Sequence, residues 1–149
     1  MIPSLAVDIC KTFEGFHRVV QRQPVIMAAP YICPAGYWTI GYGSLCAKDH
    51  PAITLEEGEI LLSRDLGVAL AAVARLCPVL LAEPERRLAA VVSWTFNLGA
   101  GRLRASTMRT RINAREWPAA ADEMRKWVWG GGRTLPGLVA RRAAEAALL

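Results

Sequence analysis

Hydrophobic positions near the start of the chain recur at three- and four-residue spacing through Ile2, Leu5, Ala6, Ile9, Cys10 and Phe13, the period of an amphipathic helix. Gly15 is a suitable stop for such a helix, so the pattern predicts a first helix ending at Glu14. The stretch Gly36 to Ser44 reads GYWTIGYGS. Its β-branched and aromatic residues separated by three glycines suit a short twisted hairpin and poorly suit a helix. This is the only strong strand signal in the chain. The apolar run Val25 to Ala29 lies between Pro24 and Pro30 and reads as a loop.

Beyond the hairpin the pattern is helical throughout. Thr54 and Glu57 form a capping box ahead of a long Leu/Ala-rich stretch that must stop near Pro78. A second long helix is predicted from Pro84 to about Leu98, burying Leu88, Val91, Val92, Thr95 and Phe96. Ser106 can cap a short helix to about Asn113, Pro118 can open another reaching Trp129, and Pro136 can open the last. Helix, small hairpin, then several helices is the order of an α+β protein, with no internal repeat and no low-complexity tract.

Composition narrows the field. A chain of 149 residues with 53% hydrophobic side chains can bury a real core in one domain. The formal charge of +5 favours polyanionic surroundings without choosing among nucleic acid, acidic lipid and an anionic cell wall. Four scattered cysteines, Cys10, Cys33, Cys46 and Cys77, are too few for a disulfide scaffold and form no CxxC zinc pair. No apolar run approaches the roughly 20 residues needed to span a bilayer. Asp8 and Lys11 occupy the place where a signal peptide would have its apolar core. There is no Gly-rich phosphate loop and no nucleic-acid signature, and the arginines, spread over several helices, read as solvated faces.

Cleaving a glycosidic bond requires a carboxylic acid to protonate the leaving oxygen. On the far side it requires a group that holds or activates water, or stabilises the developing cation. Phe13-Glu14-Gly15 places a carboxyl at a helix end against aromatic and apolar neighbours, a setting that favours its protonated form. By itself Glu14 reads as an ordinary solvated helix-end residue.

Its context changes that reading. FEGF, CPAGYWTIGYG, SWTFNLGAG and GGRTLPGLVARR follow one another along the chain and closely resemble the successive motifs of phage-type lysozymes, glycoside hydrolase family 24. The resemblance covers nearly the whole sequence. It implies an α+β, lysozyme-like fold in a single domain. A small β-hairpin lobe would span about residues 15–53 and a mostly helical lobe about 54–149 together with the N-terminal helix, with the active-site cleft between them. In that family a Glu-Gly pair ends the first helix, an Asp or Cys lies in the hairpin lobe, and a Thr follows after five intervening residues, the spacing of Cys33 and Thr39. Carried over, Glu14 is the catalytic acid, Cys33 and Thr39 hold or activate water, and Phe96 and Asn97 line the cleft as substrate-binding residues. The implied activity is a muramidase acting on the β-1,4 bond between N-acetylmuramic acid and N-acetylglucosamine in bacterial peptidoglycan, without cofactor or metal. By the same resemblance the protein is a monomer that waits in the host cytoplasm and reaches the periplasmic wall through a separately encoded holin.

The chain departs from the family in three places. Eighteen residues separate Glu14 from Cys33, more than is usual, and the extra length falls in Arg18 to Pro30. A loop can absorb it, whether as a lid, a membrane or glycan contact, or an inert decoration. Cys33 replaces the aspartate of many members, and a thiol is mostly neutral at pH 7 and a poor base. Ser44 stands where many relatives have a histidine paired with an acid on the long helix, here Asp65, so the ion pair is absent and a Ser44–Asp65 hydrogen bond can take its place. Three other readings accompany the muramidase: a lytic transglycosylase, conceivable because position 33 is no carboxylate; a weakly catalytic peptidoglycan-binding module; and a Cys-His peptidase using Cys33, for which the chain supplies no orienting third group. Relatives that gate the site by cysteine pairing suggest a Cys10–Cys33 disulfide in an oxidising compartment.

Overall fold

The computed structural model describes all residues, Met1–Leu149. The architecture is α+β, rich in helix with small antiparallel sheets. Contacts divide the chain into two units, Cys10–Asp65 and the pair of segments Met1–Ile9 and Leu66–Leu149. The divisions fall inside the first helix, α1 (Ser4–Glu14), and the second, α2 (Leu55–Leu76).

In the unit Cys10–Asp65, α1 ends where the spacing predicts. The Gly15 N–H closes on the Lys11 carbonyl at 3.1 Å, and Gly15 takes the left-handed conformation, φ +69°, that terminates a helix cheaply only when no Cβ is present. The predicted hairpin is also there. Strand β4 (Trp38–Ile40) pairs with β5 (Ser44–Leu45), and β3 (Tyr31–Ile32) completes an antiparallel sheet in the order β3-β4-β5.

The insertion is not a loop throughout. β1 (Val19–Gln21) and β2 (Met27–Ala28) pair antiparallel across a register shift, and β6 (Ile53–Thr54) extends them into a second three-stranded sheet. What decides for strand is a partner outside the segment: Met27 and Ala28 face Thr54 and Ile53, and Ala28 and Ile53 are buried. Between the strands Val25 and Ile26 stay exposed. With Thr54, Leu55, Glu56 and Glu59 they line an open groove of about 390 Å3.

The capping box forms as predicted. The Thr54 N–H donates to Glu57 Oε2 at 2.7 Å, and the Glu57 N–H donates to Thr54 Oγ1 at 3.2 Å. The α2 helix then runs to Leu76, followed by a 3-10 turn at Pro78–Ala82.

In the helical unit, α3 (Glu85–Leu98) is buried on every side between Ala89 and Thr95. The single apolar stripe read from sequence is therefore too narrow, and Leu88 and Phe96, expected to be buried, are only half-buried. The cause is enclosure, because α4 (Ala100–Ala105), α7 (Pro136–Ala146) and the 3-10 turn all pack on α3. Ser106 Oγ accepts from the Arg109 N–H at 3.1 Å and caps α5 (Thr107–Asn113), as its position predicts. Helix α6 (Trp117–Arg125) stops short of the expected Trp129. Trp127 instead sets its ring edge-on to the wholly buried Trp94, centroids 5.2 Å apart. Trp129 enters a tight hairpin of β7 (Trp129–Gly130) and β8 (Arg133–Thr134).

The centre of this unit holds charge. Glu145, wholly buried, accepts from Arg141 Nε at 3.1 Å and from Ser93 Oγ at 2.7 Å, and Arg142 lies 2.7 Å from its second oxygen. Charges out of water persist only when paired and hydrogen-bonded in this way. No helix is long and apolar enough to cross a membrane.

Candidate active site

Glu14 is the last residue of α1 and is half-buried. A methyl group placed on Gly43, in the turn between β4 and β5, would stand 3.7 Å from Glu14 Oε2, so the carboxyl lies against that turn. Cys33, also half-buried, opens the turn between β3 and β4. Its N–H donates to the Tyr37 carbonyl at 2.9 Å and its carbonyl accepts from the Gly36 N–H at 2.8 Å. Thr39, only 3% exposed, sits on β4 directly opposite Tyr31. Its Oγ1 donates to the Tyr31 carbonyl at 3.3 Å.

These three sequence-derived candidates fall in one unit of the chain, and Tyr31 links them. Burial is the main cause of a raised phenol pKa at Tyr31. Negative charge on Glu14, Cys33 and Cys46 pushes in the same direction, and hydrogen bonding to the Thr39 side chain opposes it. The phenol is therefore within electrostatic reach of the carboxyl and the thiol and is a neighbour of the hydroxyl. Sequence reasoning passed over Tyr31. The available signal was its place two residues before Cys33; that it pairs with Thr39 is set by the sheet register.

The His17 ring leans on Tyr31 with centroids 5.3 Å apart, and its edge lies 3.6 Å from where a Cβ on Gly15 would stand. It thus bridges from the residue after Glu14 to the sheet.

Support beneath the site comes from short contacts. Ser44 Oγ donates to Asp65 Oδ2 at 2.6 Å, the hydrogen bond the sequence allowed in place of an ion pair. Lys11 pairs with Glu59, tying the end of α1 to α2. Phe16 packs on Tyr42 with centroids 5.4 Å apart. Burial pushes the Tyr42 phenol up, and at 7% exposure this ring is packing, not a sugar platform.

Phe96 and Asn97 lie at the end of α3, in the other unit, both half-buried. Asn97 Oδ1 is buried and has no hydrogen-bond partner within the protein, an acceptor whose presence asks for a reason. Arg133 is exposed on β8. None of the four cysteines is in a disulfide. Cys77 is wholly buried, and desolvation lifts its thiol to about 11 against the pull of Arg109, which makes it a packing residue. No three His, Cys, Asp or Glu side chains converge as a metal site would require.

The phage lysozyme family profile matches residues 11–145. Among curated relatives, an endolysin of Bacillus phage B103 is 34% identical over 149 residues, covering 99% of this chain and 53% of its own length. The chain thus spans about half of that protein. An endolysin of Acyrthosiphon pisum secondary endosymbiont phage 1 is 33% identical, covering 87% of this chain and 91% of its own. The SAR-endolysin of Enterobacteria phage P21 is 36% identical over 78% of this chain and 70% of its own. Among solved structures, the muramidase domain of SpmX from Asticaccaulis excentricus superposes with a TM-score of 0.80 at 29% identity, covering 99% of this chain and 96% of that one. The endolysin from Escherichia coli O157:H7 phage FAHEc1 gives 0.78 at 29% identity, covering 99% and 92%. With a family profile that covers most of its length and relatives above 30% identity, the chain belongs to the phage lysozyme family.

Proposed function

We propose that this protein is an endolysin that degrades bacterial peptidoglycan as a muramidase, hydrolysing the β-1,4 bond between N-acetylmuramic acid and N-acetylglucosamine. The observation that supports the reading is that the half-buried Glu14 carboxyl lies against the β4–β5 turn of the sheet whose strand β4 carries Thr39 and whose β3–β4 turn holds Cys33.

In the mechanism, protonated Glu14 gives its proton to the leaving glycosidic oxygen as the bond from that oxygen to the anomeric carbon breaks. Water attacks the anomeric carbon from the opposite face, with inversion. Its proton passes to solvent, and Glu14 is reprotonated from solvent, so the cycle closes without a cofactor. Thr39 spends its own proton on the Tyr31 carbonyl, and its oxygen accepts from the attacking water. The Cys33 thiol borders the same water. Phe96 and Asn97 stay the candidate substrate-binding residues of the helical unit, Asn97 Oδ1 being an acceptor suited to an amide N–H. The work is done for the phage on the periplasmic side of the host membrane, after release by a separate holin.

The test is turbidity loss of outer-membrane-permeabilised Gram-negative cells with wild type and Glu14→Gln, each checked for an unchanged unfolding temperature. Clearing by wild type and a loss of at least about a hundredfold in the variant, the scale of general acid catalysis, is the expected result. Substantial residual clearing by a folded Glu14→Gln removes the assignment. Peptidoglycan pull-down without any clearing by wild type would leave a wall-binding module. The thiol at position 33 keeps one rival in view, a lytic transglycosylase, whose fragments would end in anhydro rings instead of hydrated reducing ends.

A further inference from the structure

We propose that the Tyr31 hydroxyl joins Thr39 in holding the attacking water, and that it does so because position 33 carries a thiol. The inference rests on the hydrolase reading above. Its basis is the register of the sheet. Tyr31 is the Cα partner of Thr39, so those two side chains share one face, and Cys33 opens the turn that follows β3.

From the other side, His17 covers Gly15 and leans on the Tyr31 ring, which brings the phenol towards the end of α1 where Glu14 sits. The charges of Glu14 and Cys33 push the phenol's pKa up and the Thr39 side chain pulls it down. Three of the groups assigned to cleavage thus converge on a residue to which the mechanism gave no work.

The chemistry explains the need. A water aimed at an anomeric carbon is oriented by two acceptors, one for each of its protons, which leave a lone pair directed at carbon. An aspartate at position 33 would supply strong acceptors, whereas a thiol sulfur is a weak one. Thr39 Oγ1, its proton committed to the Tyr31 carbonyl, supplies one acceptor. The Tyr31 oxygen supplies the other. Burial and the neighbouring negative charges keep that phenol protonated through the neutral range, so it acts as a neutral hydroxyl and not as a base.

The experiment measures kcat and KM on soluble peptidoglycan fragments for Tyr31→Phe, Cys33→Asp and the double variant, with wild type and Glu14→Gln alongside. Loss of one water-holding hydrogen bond predicts a fall in kcat of about tenfold in Tyr31→Phe with KM unchanged. It predicts a clearly smaller fall when the same change is made in Cys33→Asp, where the carboxylate takes over the acceptor role. Equal losses in the two backgrounds, or no loss, would overturn the proposal, because a packing role does not depend on the acceptor at position 33.

A second readout needs no activity. The NMR titration of the Tyr31 ring carbon should move to lower pH in both Glu14→Gln and Cys33→Ser, and a midpoint that answers to neither overturns the arrangement. A Glu14→Gln variant as active as wild type would overturn the hydrolase reading and this proposal with it. A Tyr31→Phe loss that ignores residue 33, in an enzyme that Glu14→Gln silences, overturns this proposal only.

Discussion

The two units of the chain are built by different means. The helical unit is held by enclosure: α3 is buried on all sides between Ala89 and Thr95, Trp94 and Leu103 are wholly buried, and a carboxylate with two guanidiniums is sealed inside. The unit Cys10–Asp65 has strands of two or three residues, joined by turns, and leaves Val20, Ile32, Tyr37 and Leu45 largely exposed. Glu14, Cys33, Thr39 and Tyr31 all belong to the second kind of structure. A close-packed core resists change through the volume it fills. A site made from turns depends on backbone register and on a few hydrogen bonds. Substitutions in the closed core of the helical unit should therefore appear as lost stability, and those around Glu14, Cys33 and Thr39 as lost activity.

The sharpest way to break this contrast is Glu145→Ala. Removing the carboxylate shared by Arg141 and Arg142 should cost about 3–5 kcal/mol, read by chemical denaturation, while kcat of the folded fraction is retained. A loss below about 1 kcal/mol would mean that the sealed charges contribute no more than a surface pair.

Next comes Gly58→Val on α2, where even a Cβ would meet Phe16 Cε2 at 2.6 Å. Overpacking there should cost about 1–3 kcal/mol and, because Phe16 follows Glu14 closely in the chain, should lower activity as well. This is the one place where the two kinds of loss are expected together, and a stability loss without an activity loss would separate them.

Thr54→Ala removes half of the capping box and should cost about 1 kcal/mol with kcat unchanged.

The smallest effect concerns acid. Hydrogen bonding from Arg115 first, then from Arg87 with the charges of both, holds the Glu83 carboxyl below the usual carboxylate range. A depressed pKa means that the folded state releases this proton more readily than the unfolded one. The stabilisation is thus present above the ordinary carboxylate pKa and is lost as pH falls through the lowered one. Unfolding temperatures of wild type and Glu83→Gln should differ slightly near neutral pH and converge in acid. A gap that widens on acidification would reverse the sign.

The sequence made the helices legible where local chemistry sets them. Thr54 with Glu57, Ser106 before Arg109, and Gly15 after Glu14 each fix a helix end through atoms within four residues, and each was readable. The strands of the insertion were not, because Met27 and Ala28 owe their conformation to Ile53 and Thr54, far along the chain. The end of α6 was missed for a similar reason: Trp127 is claimed by Trp94, a contact that no local periodicity encodes. At the site, the resemblance to phage-type lysozymes offered Glu14, Cys33 and Thr39 as candidates, whereas Tyr31 emerged only with the sheet register that sets it opposite Thr39.

The most direct test of the central claim, that Glu14 drives addition of water across the glycan bond, is digestion of purified peptidoglycan in 18O-labelled water, followed by mass spectrometry of the fragments. Wild type is expected to release fragments whose N-acetylmuramic acid reducing ends carry one labelled oxygen, and folded Glu14→Gln at least about a hundredfold fewer. Unlabelled anhydro ends, or labelled ends released equally well by Glu14→Gln, would contradict the claim.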